Sequence, residues 1–249
     1  AICRLVHGMP LALELAAAWL RSLPCAAIVR ELEMGMALLR AEVGDLEARH
    51  RNLQTVLEQT WQRLSPEEAS TMARLALFRG GFTLEAAEAA AKASPYVLAG
   101  LVENALIRLD EFERYQTHEL LRQFAYGRLA VSPACDGAAA AHAQYFFTLV
   151  SGRKDALGDS RQPAALAAIQ AEIDNVRTAW QGALQQPDLP YIAAATDPLY
   201  DFFRYTCRYS EGKELFAGSV ARLRDRPVNS QSKTALEIAE HLETLTAVF

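Results

Sequence analysis

A chain of 249 residues, 51% of them apolar, can build one large core or two or three smaller ones and is too apolar to remain disordered. Its net charge is −5, with 25 Lys and Arg against 30 Asp and Glu. It therefore lacks the basic surplus with which nucleic-acid binders displace counterions from phosphates. Charge interrupts every apolar run well short of the about 18 residues of a membrane span, and no charged-then-apolar leader opens the sequence.

Alanine is abundant and costs least to place in a helix, while the 13 Gly and 10 Pro are few enough to act as punctuation. Cys3, Cys25, Cys135 and Cys207 form no CxxC pair, and the five histidines (His7, His50, His118, His142, His241) show no metal-ligand spacing. A reducing, cytoplasmic setting follows from the cysteines. The chain opens at Ala1 without Met and closes at Phe249 inside an apolar periodic run, so we expect a piece of a longer protein.

In chain order, Pro10 fits the first turn of a helix that ends near 22–24. A second helix is predicted over 26–39, with Ile28, Leu32, Met36 and Leu39 on one face. The charged stretch 47–53 reads as a joint containing a solvated basic linker, Arg49-His50-Arg51. Asn52 then caps a helix over 53–63 whose inward stripe is Leu53, Val56, Leu57, Trp61 and Leu64. Ser65-Pro66-Glu67-Glu68 carries a cap, a first-turn proline and the glutamate of a capping box, starting a helix to about 77. Gly80-Gly81 breaks it, and Thr83 caps a short helix over 84–92. Pro95 opens another, over 96–104, with Val97, Leu101 and Val102 inward.

Residues 106–109 and 114–117 flank the polar turn 110–113, a hairpin signature, before helix resumes over 118–129. Helices, a hairpin and a closing helix together predict a winged-helix fold. Beyond a looser stretch, 131–137, helices are predicted over 138–150, 163–184, 189–208, 211–223 and 232–248. Short connections between antiparallel helices suggest an α-solenoid of the tetratricopeptide kind. The reading is a mainly α chain of three parts: a helical subdomain (1–45), a winged-helix subdomain (46–131) and TPR-like helical repeats (132–249).

Two short motifs in this order bring a resemblance. Gly8-Met9-Pro10-Leu11-Ala12 resembles the GxP motif in the helical subdomain of STAND signalling NTPases, the class of NB-ARC switches and bacterial multidomain transcriptional regulators. Thr117-His118-Glu119 stands where those proteins carry Met-His-Asp. Leu77-Phe78-Arg79-Gly80-Gly81-Phe82-Thr83, Glu172-Ile173-Asp174-Asn175 and Tyr209-Ser210-Glu211-Gly212 are similar to further stretches of the bacterial regulators.

The resemblance implies that Pro10 packs against an adenine ring and that His118 reaches the β-phosphate of ADP. It implies ADP or ATP with Mg²⁺ in the intact parent. It also implies as partners an upstream NTPase domain, a protein or small-molecule signal on the repeats, and a homo-oligomer on activation. Met and Asp of the family's triplet are Thr117 and Glu119 here. No GxxxxGK[ST] and no Walker B strand occur, so the chain itself is expected not to be an enzyme.

Each residue also has a plainer reading. Pro10 can serve only as a helix-start proline, and His118 only as a helix cap. Trp61, Trp180, Tyr200, Phe202, Phe203 and Tyr205 read as packing residues rather than a ligand cage. The helix that would read DNA, 95–106, contains no Lys or Arg, so direct nucleic-acid binding is not expected. A nucleotide-independent scaffold for protein interaction stands as the alternative.

Overall fold

A computed structural model describes residues 2–6, 9–42, 48–184, 189–224 and 232–248. Among them the protein is mainly α-helical, with a single two-stranded antiparallel sheet. Among the described residues no helix is long and apolar enough to cross a membrane. The chain divides into two compact units. The first comprises Ala1–Ala76, Gly81–Glu88 and Lys92–Ser132, and the second Leu77–Gly80, Ala89–Ala91 and Pro133–Phe249.

The first unit begins with a short helix α1 (Ile2–Leu5), then α2 (Pro10–Ala18), which runs into a 3-10 turn at Trp19–Arg21. Pro10 takes the first helical position, where its missing N–H leaves nothing unpaired. Helix α3 spans Cys25–Glu42 and buries Ile28 and Leu32; the side chains of Met36 and Leu39, and residue Gly8, lie outside the described residues.

Helix α4 spans Ala48–Gln62, so Asn52 is inside it rather than at its cap, and 49–51 are helical rather than a linker. The cause is compositional, since no Gly or Pro interrupts 48–62. Leu53, Val56 and Leu57 are buried as expected, whereas Trp61 and Leu64 are only half-buried. Trp19 is fixed on α4: its Nε1 donates to Thr60 Oγ1 at 3.2 Å, and Arg63 lies over its ring at 4.7 Å.

Helix α5 (Pro66–Leu75) starts with the complete capping box. The Glu68 N–H donates to Ser65 Oγ at 3.2 Å, and the Ser65 N–H donates back to Glu68 Oε2 at 2.8 Å. Helix α6 (Leu84–Ala91) is capped by Thr83, and α7 (Pro95–Glu103) by Ser94. The helix ends at Glu103, close to the expected 104 and short of the 95–106 span weighed as a DNA reader. Asn104 Nδ2 donates to the Gly100 carbonyl at 3.0 Å, and Ala105 turns to φ +56°. In α7 it is Leu98, not Val102, that joins Val97 and Leu101 in the core.

Strands β1 (Ile107–Leu109) and β2 (Tyr115–Thr117) pair antiparallel, Arg108 opposite Gln116. Asp110 organises the loop between them by accepting from the N–H groups of Phe112 and Arg114, both at 2.9 Å, and from Gln116 Nε2 at 3.2 Å. The Arg114 hydrogen bond, with those from Gln116 and Phe112, holds the Asp110 carboxyl below its ordinary range. Glu113 takes the left-handed conformation (φ +57°) that closes such a loop. On its other edge, β2 exchanges two backbone hydrogen bonds with Phe82, whose ring stacks on Tyr115 at 5.6 Å.

Helix α8 (Glu119–Ala130) closes the unit. Its Arg122 is buried; Nε and Nη2 donate to the Glu119 carboxylate, and Nη1 donates at 2.9 Å to the Ala76 carbonyl just beyond α5. The hydrogen bond to Glu119 raises the Arg122 pKa above its usual value.

The second unit contains α9 (Cys135–Ser151), α10 (Lys154–Leu157), α11 (Gln162–Ala171), α12 (Ile173–Ala183), α13 (Leu189–Tyr205), α14 (Tyr209–Arg224) and α15 (Ser232–Val248). The single helix expected over 163–184 is two, because Glu172 leaves helical geometry at φ −112°, ψ 8°. Glu172 and Asn175 are both buried, and Asn175 Nδ2 donates to Glu172 Oε2 at 2.8 Å. Asn175 Oδ1 in turn accepts the Arg79 N–H at 2.6 Å. The helix is thus interrupted by a buried polar pair rather than by a breaker residue. Likewise, α14 starts at Tyr209, inside a stretch expected to separate helices.

The core of this unit is aromatic. Phe147, Trp180, Phe216 and Phe203 pack in series with ring centroids 5.7 to 6.3 Å apart, and Phe202 packs on Phe203 at 5.4 Å. Trp180 is fully buried and its Nε1 donates to Ser219 Oγ at 2.7 Å. Trp180, Phe202 and Phe203 are therefore packing residues.

Candidate functional site

Within the first unit a cleft of about 440 Å³ opens between α2, the end of α7 and the hairpin. That volume lies in the range of ~300–1,000 Å³ over which proteins hold small molecules. One wall is Leu11 and Glu14 of α2; the other is Arg108 of β1 and Gln116, Thr117 and His118 at the end of β2. Val102, Leu106 and Leu109 add apolar surface.

The two residues singled out from the sequence sit differently with respect to this cleft. His118 lines it. Pro10 does not; it is exposed at the first position of α2, and the wall begins one residue later at Leu11.

His118 is the N-cap of α8: its Nδ1 accepts the Leu120 N–H at 3.3 Å, in extended backbone geometry. The capping reading is therefore realised in the structure. It also has a chemical consequence, because a neutral imidazole that accepts at Nδ1 carries its proton on Nε2. The exposed ring thus keeps its N–H donor free of the cap, which uses only the acceptor nitrogen. Glu119 points elsewhere, into its pairing with Arg122.

Three further residues were not found from sequence. Arg108 stands opposite Gln116 on the hairpin and supplies the cleft with a guanidinium. Its signal, a single arginine in a three-residue strand, is indistinguishable in sequence from an ordinary surface charge. Thr117 Oγ1 is buried with no hydrogen-bond partner among the described residues, and Thr117 lines the cleft. Gln116 depends on Gly81, which has φ +81° and at which an added Cβ would come within 2.6 Å of Gln116 Nε2. The positive φ strains any side chain at 81, and one there would also displace the amide of Gln116.

The cleft therefore presents donors and one permanent cation from the hairpin side, an apolar floor, and one carboxylate, Glu14, from α2. Such a lining suits a ligand with an anionic end and an apolar or aromatic body. Among the described residues no cluster of His, Cys, Asp and Glu could hold a metal ion.

Fold and cleft together define a mainly α-helical protein with a small-molecule-sized cleft beside a helix-capping histidine. The sequence is similar to mycobacterial proteins. Over 191 residues, 72% of this chain, it is 31% identical to a Mycobacterium tuberculosis protein whose name classes it, provisionally, as an HTH-type transcriptional regulator, and equally to a Mycobacterium bovis protein so described. Over 155 residues, 58% of this chain, it is 29% identical to an uncharacterized Mycobacterium tuberculosis protein. The matched stretch spans 21% of the length of the regulators and 39% of that of the uncharacterized protein. No family model matches the chain, and no solved structure does.

Proposed function

We propose that this chain is the regulatory segment of a STAND-class signalling ATPase that acts as a cytoplasmic transcriptional regulator. Residues 1–45 act as the helical subdomain, 46–131 as a winged helix and 132–249 as TPR-like repeats. The parent supplies the phosphate-binding loop, the Mg²⁺ site and hydrolysis from an upstream NTPase domain; this segment supplies the clamp. In the ADP state, Pro10 lies against the base and the Nε2–H of His118 donates to a β-phosphate oxygen. Arg108 offers its charge to the same anion. A signal on the helical repeats together with exchange for ATP releases the clamp and exposes an oligomerisation surface. A switch of this kind requires contacts that differ between its two states. The segment itself is neither a catalyst nor a reader of nucleic acid.

The observation that carries the reading is the shared cleft. Leu11, the residue after Pro10, and His118 line one space although they lie more than a hundred positions apart. The order of elements supports it as well: α5, the Phe82 edge, α6, α7, the hairpin and α8 follow one another as in a winged helix. Similarity to regulators of transcription agrees with the proposed context.

The test is His118→Ala in the intact parent, read as the dissociation rate of a fluorescent ADP analogue. Losing a hydrogen bond to a charged oxygen, about 1.5–3 kcal/mol, speeds release by roughly tenfold or more. An unchanged rate removes the clamp and leaves the alternative, a nucleotide-independent scaffold for protein interaction.

A further inference from the structure

The second unit has a cleft of its own, about 500 Å³, between α12 and α14. Arg177, Trp180, Gln181 and Leu184 line one side, at the three- and four-residue spacing of a single helix face. Glu211, Glu214, Leu215, Gly218, Ser219 and Arg222 line the other at the same spacing.

The charges in this cleft are not equivalent. Arg177 pairs with Glu211 and with Asp174, and Glu211 also accepts from Arg208 at 2.7 Å, so this group neutralises itself at one end. The side chains of Glu214 and Arg222 make no hydrogen bond or ion pair among the described residues. They stand eight residues apart on α14, about 12 Å along its axis, which is too far for them to satisfy each other. Between them the surface is apolar at Leu184 and Leu215, with one amide, Gln181, able both to donate and to accept. The buried Trp180 closes the floor, its N–H already committed to Ser219.

A carboxylate and a guanidinium carried at positions about 12 Å apart along α14, flanking an apolar strip, suit a zwitterion of about that length. An extended chain advances about 3.3 Å per residue, so three or four residues span the gap. We propose that the α12–α14 cleft binds a short peptide with free termini, its ammonium at Glu214, its carboxylate at Arg222 and small apolar side chains against Leu184 and Leu215. This names a ligand class for the signal surface of the helical repeats put forward above, and it does not depend on the nucleotide clamp.

Gly218 supplies a clean blocking variant. A Cβ built there meets nothing within 4 Å, and it is exposed in the cleft wall. A larger residue fills the cleft without meeting the core, and replacing a helical glycine also favours α14.

The experiment is calorimetric titration of the whole chain with Ala-Leu-Ala and Ala-Leu-Leu-Ala, each with free termini, N-acetylated and C-amidated. Expected are binding of the free peptides and about tenfold weakening by either terminal block. Arg222→Gln should cost the free peptide as much as amidation does, and amidation should then cost nothing more; Glu214→Gln should behave likewise towards acetylation. Gly218→Leu should abolish binding while the thermal melt is no lower than that of the parent chain. Equal binding of free and blocked peptides, or no binding of either free peptide tighter than about 1 mM, overturns the proposal. Neither result bears on His118, whose test reads ADP release.

Discussion

His142 shows what one buried side chain does to this protein. It is 2% exposed, edge-on to Phe78 at 4.8 Å and tilted on Phe146 at 4.7 Å, and its Nε2 has no partner among the described residues. Burial disfavours the imidazolium and lowers the pKa from 6.5 to about 3. As pH falls through 6.5 the unfolded chain takes up a proton that the folded chain refuses until about pH 3. Stability is therefore undiminished above pH 6.5 and is lost between there and pH 3, at about 1.4 kcal/mol per pH unit. His142→Leu, of similar volume, removes the effect. Urea unfolding should place the variant close to the parent at pH 7 and about 2 kcal/mol above it at pH 5. An identical acid slope in both proteins would refute the assignment.

The same scale separates the two histidines as sites. His118 is exposed and uses one nitrogen for a cap, leaving the other for a ligand; His142 is buried among rings and offers chemistry to nothing. The sequence marks both only as histidines on helices. The resemblance distinguished His118, and the geometry adds why a capping histidine can also be a donor.

At the level of elements, local chemistry wrote most of the helix starts. Ser65 with Glu68, Thr83 and the first-turn prolines Pro10, Pro66 and Pro95 were legible because the groups that satisfy each start lie within four residues. The ends and interruptions were less so. The break at Glu172 is made by Asn175, and Asn175 is held by the N–H of Arg79, 96 positions away; no local pattern records that bond. The cleft at Arg108 was hidden for the same reason, since its opposite wall comes from α2.

Three helix ends pass through the left-handed region without glycine: Lys92, Ala105 and Cys207, at φ +55°, +56° and +56°. At Lys92 its own N–H and that of Ala93 both return to the Ala87 carbonyl, the bonding for which glycine is the usual residue. Because Lys92 is exposed, Lys92→Gly removes the strain of a Cβ there and loses no packing. It should raise the unfolding free energy by about 0.5–1 kcal/mol in denaturant titration. A loss of stability would mean that the lysine side chain contributes a contact beyond the turn.

Over the whole molecule, composition settled the class: an alanine-rich chain with few breakers is mainly helical. Its acidic balance bears on partners too. Helix α7 contains no Lys or Arg and exposes Tyr96 and Val102, a surface unsuited to phosphate or base edges. In a gel-shift assay at about 50 mM salt, where phosphate contacts are strongest, the chain should not retard duplex DNA. Retardation abolished by reversing the charges of Arg108 and Arg114 on the hairpin would instead make this segment the reader.

The interleaving of the two units limits how the protein can be dissected. Phe78, which covers the rings of His142 and Phe146, and the Arg79 amide that occupies Asn175 belong to the second unit, yet they lie in the chain between stretches of the first. Expressing residues from 133 onward alone would strip that half of its plug, leaving an oily socket and a buried amide oxygen without its donor. A soluble C-terminal half has to bring 77–80 with it, by circular permutation or as an added peptide.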